Sequence, residues 1–112
     1  MIRFILLSLI DLLIVETLTH IDNFMSKKWF IYIVRCKDNS LYTGITTNIT
    51  RRVDEHNFSK KGAKYTRSRR PVLLVYSKQI ESRSAALKLE YVFKQFDKKK
   101  KEEIISGRHQ FI

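Results

Sequence analysis

The chain has 112 residues, 22 Lys+Arg against 11 Asp+Glu, and a formal net charge of +11. That length allows one domain with a modest core, and 44% hydrophobic residues argue against a wholly disordered chain. The single cysteine, Cys36, excludes an internal disulfide framework and a cysteine-based zinc site, and it fits a reducing, cytoplasmic location. The positive charge favours a polyanionic partner, either nucleic acid or an anionic membrane surface.

The first 24 residues differ in composition from the rest of the chain. Residues 1–24 hold one base and three acids, whereas residues 25–112 hold 21 bases and 8 acids and carry a net charge of +13. The apolar run over residues 4–15 is shorter than the about 20 residues that a membrane-spanning helix needs. Three interpretations of this apolar N-terminal extension stay open: a mis-assigned start with Met25 as the true beginning, an additional helix or membrane-surface anchor, or a signal sequence. We expect no stable membrane association.

The first predicted elements form a β-hairpin. Residues 29–36 (WFIYIVRC) are apolar, β-branched and aromatic, which is typical of a strand buried on both faces. Residues 37–40 (KDNS) have the composition of a turn, and residues 41–45 (LYTGI) predict a second strand, which a hairpin pairs antiparallel with the first. Gly44 inside this strand indicates a bulge or a close backbone approach.

The sequence after the hairpin predicts a first helix and a basic loop. Thr47 or Asn48 can cap the helix at its amino end. Three of its residues recur on one side at helical spacing: Ile49, Val53 and His56. Residues 57–70 are strongly basic and contain Gly62, and we predict that they form a loop.

A third strand and two helices complete the predicted domain. Residues 72–77 (VLLVYS) predict the strand. Ser82 can cap the next helix. Its apolar stripe consists of Ala86, Leu89, Phe93 and Phe96. Asp97 can cap a last helix that ends at residues 106–107. The order β-β-α-β-α-α predicts an α+β fold, in which helices flank a small three-stranded antiparallel sheet.

Two tyrosine motifs lie on the arms of the hairpin, FIY at residues 30–32 and YTG at residues 42–44. Arg52 follows the second tyrosine by ten residues, and His56 lies one helical turn later. Glu90 lies in the second predicted helix. In order and spacing, these residues resemble the paired tyrosine motifs, arginine, histidine and metal-binding glutamate of the GIY-YIG endonuclease superfamily.

The resemblance covers about residues 28–105, and the segment 62–66 (GAKYT) is similar to the small stand-alone bacterial members. Phe30 and Thr43 stand where the two motifs of the family have a glycine and an isoleucine. The resemblance implies a GIY-YIG nuclease-like fold with a central three-stranded antiparallel sheet. It also implies a divalent-metal nuclease, with Mg²⁺ or Mn²⁺ as the cofactor.

The chemistry of phosphodiester hydrolysis gives each matching residue a role. Tyr32 is the candidate base for the attacking water, and it needs nearby cations because an ordinary tyrosine has a pKa near 10. Tyr42 would hold the phosphate or the water through its hydroxyl. Arg52 would clamp phosphate oxygens, and His56 could exchange a proton with Tyr32 or the water. Glu90 would hold the metal ion, because Mg²⁺ binds through few carboxylates and keeps most of its waters.

Each of these residues also has a purely structural alternative. The two tyrosines could be packed strand residues, and the arginine could be a solvated surface group. His56 could complete the apolar side of its helix. Glu90 could simply pair with Lys94 four residues later, a contact that contributes only a few tenths of a kcal/mol.

The remaining basic residues predict contacts with the nucleic-acid backbone, and one tyrosine among them could stack on a base. These candidate nucleic-acid contacts are Arg51, Lys60, Lys61, Lys64, Tyr65, Arg67, Arg69, Arg70 and Lys94. A solvated loop is the alternative for most of them. The lysine run at residues 98–101 fits either an external phosphate or a solvated surface.

The sequence therefore predicts a single-domain, Mg²⁺-dependent endonuclease that hydrolyses DNA and takes part in DNA repair or processing. The chain has no room for a separate specificity domain, so we expect structure-guided or nonspecific cutting, no small-molecule cofactor, and a monomer or weak dimer. One alternative is a catalytically weak module of the same fold that binds nucleic acid. Another is a membrane-surface protein that uses residues 1–24.

Overall fold

The computed structural model describes residues 27–108, together with Ile10, Leu13 and Ile14. The three interpretations of residues 1–24 fall almost entirely outside this described part, and they stay predictions. In the part of the chain that the structure describes, no helix is both long enough and apolar enough to span a bilayer.

Three strands and four helices follow one another between residues 27 and 108. They are β1 (Trp29–Arg35), β2 (Leu41–Thr46), α1 (Ile49–Phe58), α2 (Lys64–Arg67), β3 (Leu73–Ile80), α3 (Arg83–Gln95) and α4 (Lys98–Ile105). The strand order in the sheet is β2-β1-β3, and β1 pairs antiparallel with both neighbours. The predicted fold class, an α+β fold with a three-stranded antiparallel sheet flanked by helices, is confirmed.

The central strand β1 is covered on both faces, as its apolar composition predicts. Successive side chains of a strand point to opposite faces. Ile31 and Ile33 therefore pack into one cluster with residues of α3 and α4, whereas Tyr32 and Val34 pack into a second cluster with Val72. The second face carries α1, since its Val53 joins that cluster. The candidate catalytic residue Tyr32 thus lies under α1.

The hairpin turn and the helix caps are largely those that the sequence predicts. Asn39 in the turn has a φ of 70°, a backbone conformation that asparagine tolerates better than most residues. Asn48, Ser82 and Asp97 each accept a backbone N–H two or three residues into the helix that follows. Of the two residues proposed to cap α1, Asn48 is therefore the N-cap.

The prediction of a continuous loop over residues 57–70 is wrong at two places. Helix α1 extends to Phe58, and α2 forms a single helical turn between residues 64 and 67. This turn forms because the carbonyl of Ala63 accepts the N–H groups of Thr66 and Arg67. Thr66 is also fully buried, so a tertiary contact fixes a segment whose charge suggested a solvated loop.

The third strand is shifted and longer than residues 72–77. β3 runs to Ile80, which pairs with Trp29 at the start of β1. Lys78 and Gln79 belong to the strand although they are polar and exposed. Because β3 is an edge strand, these two residues pair with β1 while their side chains stay outside the core. Their polarity is the reason that the sequence pattern did not predict them as part of the strand.

Candidate active site

The second motif places a glycine directly beneath the first tyrosine. Tyr32 and Gly44 are register partners on β1 and β2, and Tyr32 is 1% exposed. A Cβ on Gly44 would lie 2.5 Å from the Tyr32 hydroxyl oxygen and 2.7 Å from Cζ. Gly44 therefore marks a close approach by a side chain. The register irregularity of this sheet lies between Ile33 and Val34, on the β3 side.

The buried phenol of Tyr32 meets His56 from α1. The Tyr32 hydroxyl oxygen lies 2.6 Å from Nε2 of His56, and the His56 side chain is fully buried. On its other side, Nδ1 of His56 lies 3.0 Å from Oγ1 of Thr66 in α2. The two predicted site residues are thus in direct contact, and a third residue holds the imidazole from behind.

Arg52 reaches the same phenol from the preceding turn of α1. Its positive charge lies near the Tyr32 hydroxyl and favours the ionised form, which lowers the pKa of that group. Nη1 also donates to the Glu55 carboxylate at 3.2 Å and to the Lys61 carbonyl at 2.8 Å. The guanidinium is therefore held in place by protein groups, with a quarter of the side chain open to solvent. A fixed and partly open guanidinium is suited to binding phosphate oxygens.

Burial keeps both central groups of the site neutral at pH 7. The pKa of Tyr32 is raised to about 12, mainly by desolvation and to a smaller extent by Tyr42 and Glu90, while Arg52 acts in the opposite direction. Desolvation, together with the positive charges of Arg52 and Arg70, lowers the pKa of His56 to about 4. Tyr32 is therefore a phenol and His56 an uncharged imidazole in the free protein.

Glu90 lies in α3, and its negative charge contributes to the raised pKa of Tyr32. Its side chain is 20% exposed, and Oε2 lies 3.7 Å from Nζ of Lys94. Within the described residues, no group of three or more His, Cys, Asp and Glu side chains converges. A single half-buried carboxylate fits a hydrated Mg²⁺ ion, which takes one or two carboxylates and keeps several waters. It does not fit a tetrahedral protein-ligated zinc site.

Tyr42 connects the buried site to the surface through a row of rings and cations. Its ring meets His56 edge-on at 5.4 Å between centroids and stacks on Tyr65 at 6.0 Å with an interplanar angle of 20°. Cζ of Arg69 lies 3.9 Å from the Tyr65 ring centroid, and Nζ of Lys94 lies 5.7 Å from the Tyr42 ring centroid. Tyr65 is 40% exposed, so this row is accessible beside the candidate catalytic residues.

The other candidate nucleic-acid contacts divide into exposed and engaged side chains. The exposed ones surround α2 and the start of α1: Arg51, Lys60, Lys61, Lys64 and Arg67. Arg69 pairs with Asp38 at 3.1 Å. Arg70 donates to the backbone carbonyls of His56, Glu55 and Ser59. Arg70 therefore anchors the carboxyl end of α1, and the structure gives it a role that its charge alone did not predict.

The lysines at the start of α4, residues 98–101, also differ from one another in their contacts. Lys98 pairs with Glu102 at 3.3 Å, and Nζ of Lys100 lies 4.3 Å from the Phe96 ring centroid. Burial lowers the pKa of Lys101, and the nearby charge of Lys94 adds to the effect. Lys101 thus lies close to the row of rings and cations, whereas Lys98 stabilises α4 itself.

Thr66 is the main residue of this site that the sequence did not single out. It is fully buried between His56 and the Ala63 carbonyl. Ala63 and Thr66 are the small residues at positions i and i+3 of an otherwise bulky and basic segment, a spacing that points to one covered face of a helical turn. Gly62 adds to this contact, since a Cβ there would lie 2.8 Å from the Glu55 carbonyl oxygen.

Comparison with known proteins shows the family of this chain. The model of the GIY-YIG catalytic domain matches residues 28–103. A UPF0213 protein of Desulfotalea psychrophila is 58% identical over 79 residues, which cover 70% of this chain and 72% of the relative. A UPF0213 protein of Staphylococcus haemolyticus is 52% identical over 81 residues, covering 72% and 98%. The solution NMR structure of a protein from E. faecalis matches with a TM-score of 0.53 and 40% identity, covering 77% of this chain and 94% of the other.

Proposed function

This chain belongs to the GIY-YIG catalytic domain family, a family of nucleases that act on nucleic acid, and from that premise we propose that it is a Mg²⁺-dependent endonuclease that hydrolyses DNA. The observation that carries the proposal is the contact of His56 with the hydroxyl oxygen of Tyr32, with the charge of Arg52 nearby. We propose that cutting is structure-guided or nonspecific and serves DNA repair or processing.

Tyr32 is the proposed base for the attacking water. A phenol whose pKa is about 12 in the free protein becomes a useful base only where cations and hydrogen-bond donors stabilise its ionised form. Arg52 supplies one such cation, whose charge lowers the pKa of Tyr32. His56 is the second group beside Tyr32, and its Nε2 contacts the hydroxyl oxygen directly.

Arg52 and Tyr42 are the proposed phosphate-binding groups. The fork of a guanidinium matches two phosphoryl oxygens, and its charge persists at every physiological pH. Because Glu55 and the Lys61 carbonyl already orient the Arg52 side chain, little reorganisation is needed when a phosphate arrives. Tyr42, beside His56, would add a hydroxyl donor to the same phosphate or to the water.

Glu90 is the proposed ligand of the metal ion. Nucleases of this family generally use divalent metal ions, and the single half-buried carboxylate of Glu90 fits Mg²⁺ or Mn²⁺ with water and phosphate oxygens as the other ligands. The ion would supply Lewis-acid stabilisation of the negative charge that develops on the phosphoryl group. Lys94 would then balance the carboxylate when no ion is bound.

The basic surface around α2 is the proposed track for the nucleic-acid backbone. Residues 25–112 carry a net charge of +13, against +11 for the whole chain, and lysine and arginine side chains bind phosphates through counterion release. The stacked pair Tyr42–Tyr65 with Arg69 is where an unstacked base would lie, because aromatic rings and guanidinium planes both stack on bases.

The test is a cleavage screen with single-stranded, nicked, branched and duplex DNA, run with Mg²⁺ and with a chelator. We expect cleavage only with the metal. We expect Glu90→Gln to reduce cleavage at saturating DNA by at least about a hundredfold. Glu81→Gln, an exposed carboxylate after β3, is the matched control and should cleave normally. Cleavage that survives both chelation and Glu90→Gln would contradict the metal site.

A separate outcome would favour the binding module. If the chain binds DNA with a steep dependence on salt and cleaves none of the substrates under any metal condition, the fold acts in binding alone. RNA of the same sequences, included in the same screen, tests whether DNA is the preferred nucleic acid.

A further inference from the structure

The turn formed by Ala63 and Thr66 determines the proton position on His56. Two groups of this turn approach Nδ1 of the imidazole. The backbone N–H of Ala63 points at Nδ1 with an N···N distance of 3.4 Å, and Oγ1 of Thr66 lies 3.0 Å away. Nε2, at the opposite corner of the ring, lies 2.6 Å from the Tyr32 oxygen.

The chemistry of these neighbours decides which nitrogen carries the hydrogen. A backbone N–H can only donate, so Nδ1 must present its lone pair to Ala63. The Thr66 hydroxyl lies within reach of two acceptors, Nδ1 at 3.0 Å and the Ala63 carbonyl at 2.9 Å. That carbonyl already accepts the N–H groups of Thr66 and Arg67. Because that carbonyl already has two donors, the Thr66 hydroxyl donates to Nδ1. The hydrogen of the neutral ring is then on Nε2.

We propose that Ala63 and Thr66 hold His56 as its Nε2–H tautomer, so that His56 is a fixed hydrogen-bond donor to the Tyr32 oxygen and Thr66 is a positioning residue for the reaction. The inference rests on the proposed nuclease function for its catalytic consequence alone. The tautomer itself is a property of the free protein.

The consequence concerns the Tyr32 oxygen. It receives one hydrogen from Nε2 of His56, so its own hydrogen points away from the imidazole. When a solvent water takes that hydrogen, the Nε2–H donor of His56 and the nearby positive charge of Arg52 remain to stabilise the phenolate. The phenolate can then take a proton from the attacking water: the new O–H bond forms on Tyr32, and the electron pair of the broken bond stays on the water oxygen. His56 acts as a donor throughout and is not the proton acceptor.

The surroundings of His56 fit an uncharged donor. Arg52, Glu55 and Arg70 are the charged groups that act on the imidazole, Tyr32 and Tyr42 face it from the sheet, and Thr66 faces it from α2. Burial and the two arginines oppose a second proton on the ring. Since Nδ1 accepts hydrogen bonds, protonation there would also require the Ala63–Thr66 turn to move.

The direct test is the ¹⁵N chemical shift of both His56 ring nitrogens in the full chain at pH 7, assigned by comparison with His56→Gln. We expect a protonated Nε2 and an unprotonated Nδ1. Hydrogen on Nδ1 would overturn the proposal. This readout needs neither DNA nor metal, so its result stands even if the chain cleaves nothing.

Two variants test the role of Thr66 in catalysis. Thr66→Val keeps the shape and removes the hydroxyl, and we expect about a tenfold loss in the single-turnover cleavage rate, with a mixture of His56 tautomers. Thr66→Ser restores the hydroxyl and should cleave within about twofold of the wild type. Wild-type cleavage by a folded Thr66→Val would contradict the positioning role. If that variant fails to fold, the His56 tautomer of the wild type and the cleavage rate of Thr66→Ser still test the proposal.

Discussion

The ring of Tyr32 lies across Gly44 on the neighbouring strand, so close that a methyl group there would stand 2.5 Å from the Tyr32 hydroxyl oxygen. The two residues are register partners in the β1–β2 ladder. The glycine of the second motif therefore makes room for the tyrosine of the first, and the spacing of the motifs reflects a single contact between two strands.

Gly44→Ala should displace the Tyr32 hydroxyl from His56 and Arg52. A misplacement of about 1 Å in a catalytic group can cost a hundredfold in rate, so we expect at least that loss in cleavage. The sheet pairing involves the backbone only and should persist. Circular dichroism and the ¹⁵N spectrum of His56 would separate the two effects. A folded variant with normal cleavage would show that the position of Tyr32 does not matter.

Arg52→Lys should keep the charge of the site and lose its function. A lysine ammonium cannot hold the Glu55 carboxylate and the Lys61 carbonyl as the guanidinium does, and it offers no planar fork to two phosphoryl oxygens. We expect about a hundredfold lower single-turnover cleavage with DNA binding within about twofold, because binding depends mainly on net charge.

Arg83→Lys is the matched control for Arg52→Lys. Arg83 lies at the start of α3, with its guanidinium over the Trp29 ring at 5.7 Å, outside the candidate site. It should cleave like the wild type. Equal losses in the two variants would mean that any Arg→Lys change impairs the chain, and the clamp assigned to Arg52 would lose its support.

Much of the fold could be predicted because local signals agree with the tertiary structure. Asn48, Ser82 and Asp97 cap helices by bonding nearby backbone N–H groups, an interaction that depends only on residues three positions apart. The apolar composition of β1 reflects its central place in the sheet. The predicted family is the one whose catalytic-domain model matches residues 28–103.

The parts that could not be predicted depend on contacts between distant segments. Thr66 and Arg70 lie in a segment whose sequence predicts a solvated basic loop. Thr66 is buried only because α1 places His56 ten residues earlier against it. Arg70 binds carbonyls at the end of α1. Neither contact leaves a periodic pattern in the sequence, since each involves a single side chain.

Stability should fall in acid over the pH range in which His56 titrates in the unfolded chain. Its pKa is lowered from 6.5 to about 4 in the folded protein, so between these values the unfolded state binds more protons. The free energy of unfolding should therefore decrease as pH falls from 6.5 to about 4, by up to about 3 kcal/mol. Denaturant unfolding across this range measures the decrease.

His56→Gln should remove most of that decrease, because glutamine does not titrate. The loss due to Glu102 lies at lower pH, since hydrogen bonds from Arg35 lower the pKa of its carboxyl group from 4.5 to about 2. That carboxylate stabilises the fold above pH 4.5, and the contribution is lost as pH falls towards 2. An unchanged slope between pH 6.5 and 4.5 in His56→Gln would assign the effect to another group.

The contributions of stacking and of charge to DNA binding should be distinguishable by their dependence on salt. Tyr65→Leu removes the exposed ring that stacks on Tyr42, and we expect about 1–3 kcal/mol weaker binding of single-stranded DNA with an unchanged salt slope. Lys64→Gln removes one exposed charge next to it, and we expect the slope of log K against log salt to drop by about 0.7 to 0.9. Titrations at four salt concentrations measure both. A slope change in Tyr65→Leu would contradict the stacking role.

The most direct measurement is the single-turnover cleavage rate of Tyr32→Phe with Mg²⁺, compared with Tyr76→Phe. Tyr76 is a half-buried tyrosine of β3 that packs against Phe93, so both variants lose one phenolic hydroxyl from the same sheet. We expect Tyr32→Phe to fold and bind DNA normally but to cleave at least about a hundredfold more slowly, and Tyr76→Phe to cleave like the wild type. Unchanged cleavage by a folded Tyr32→Phe would contradict the assignment of Tyr32 as the base.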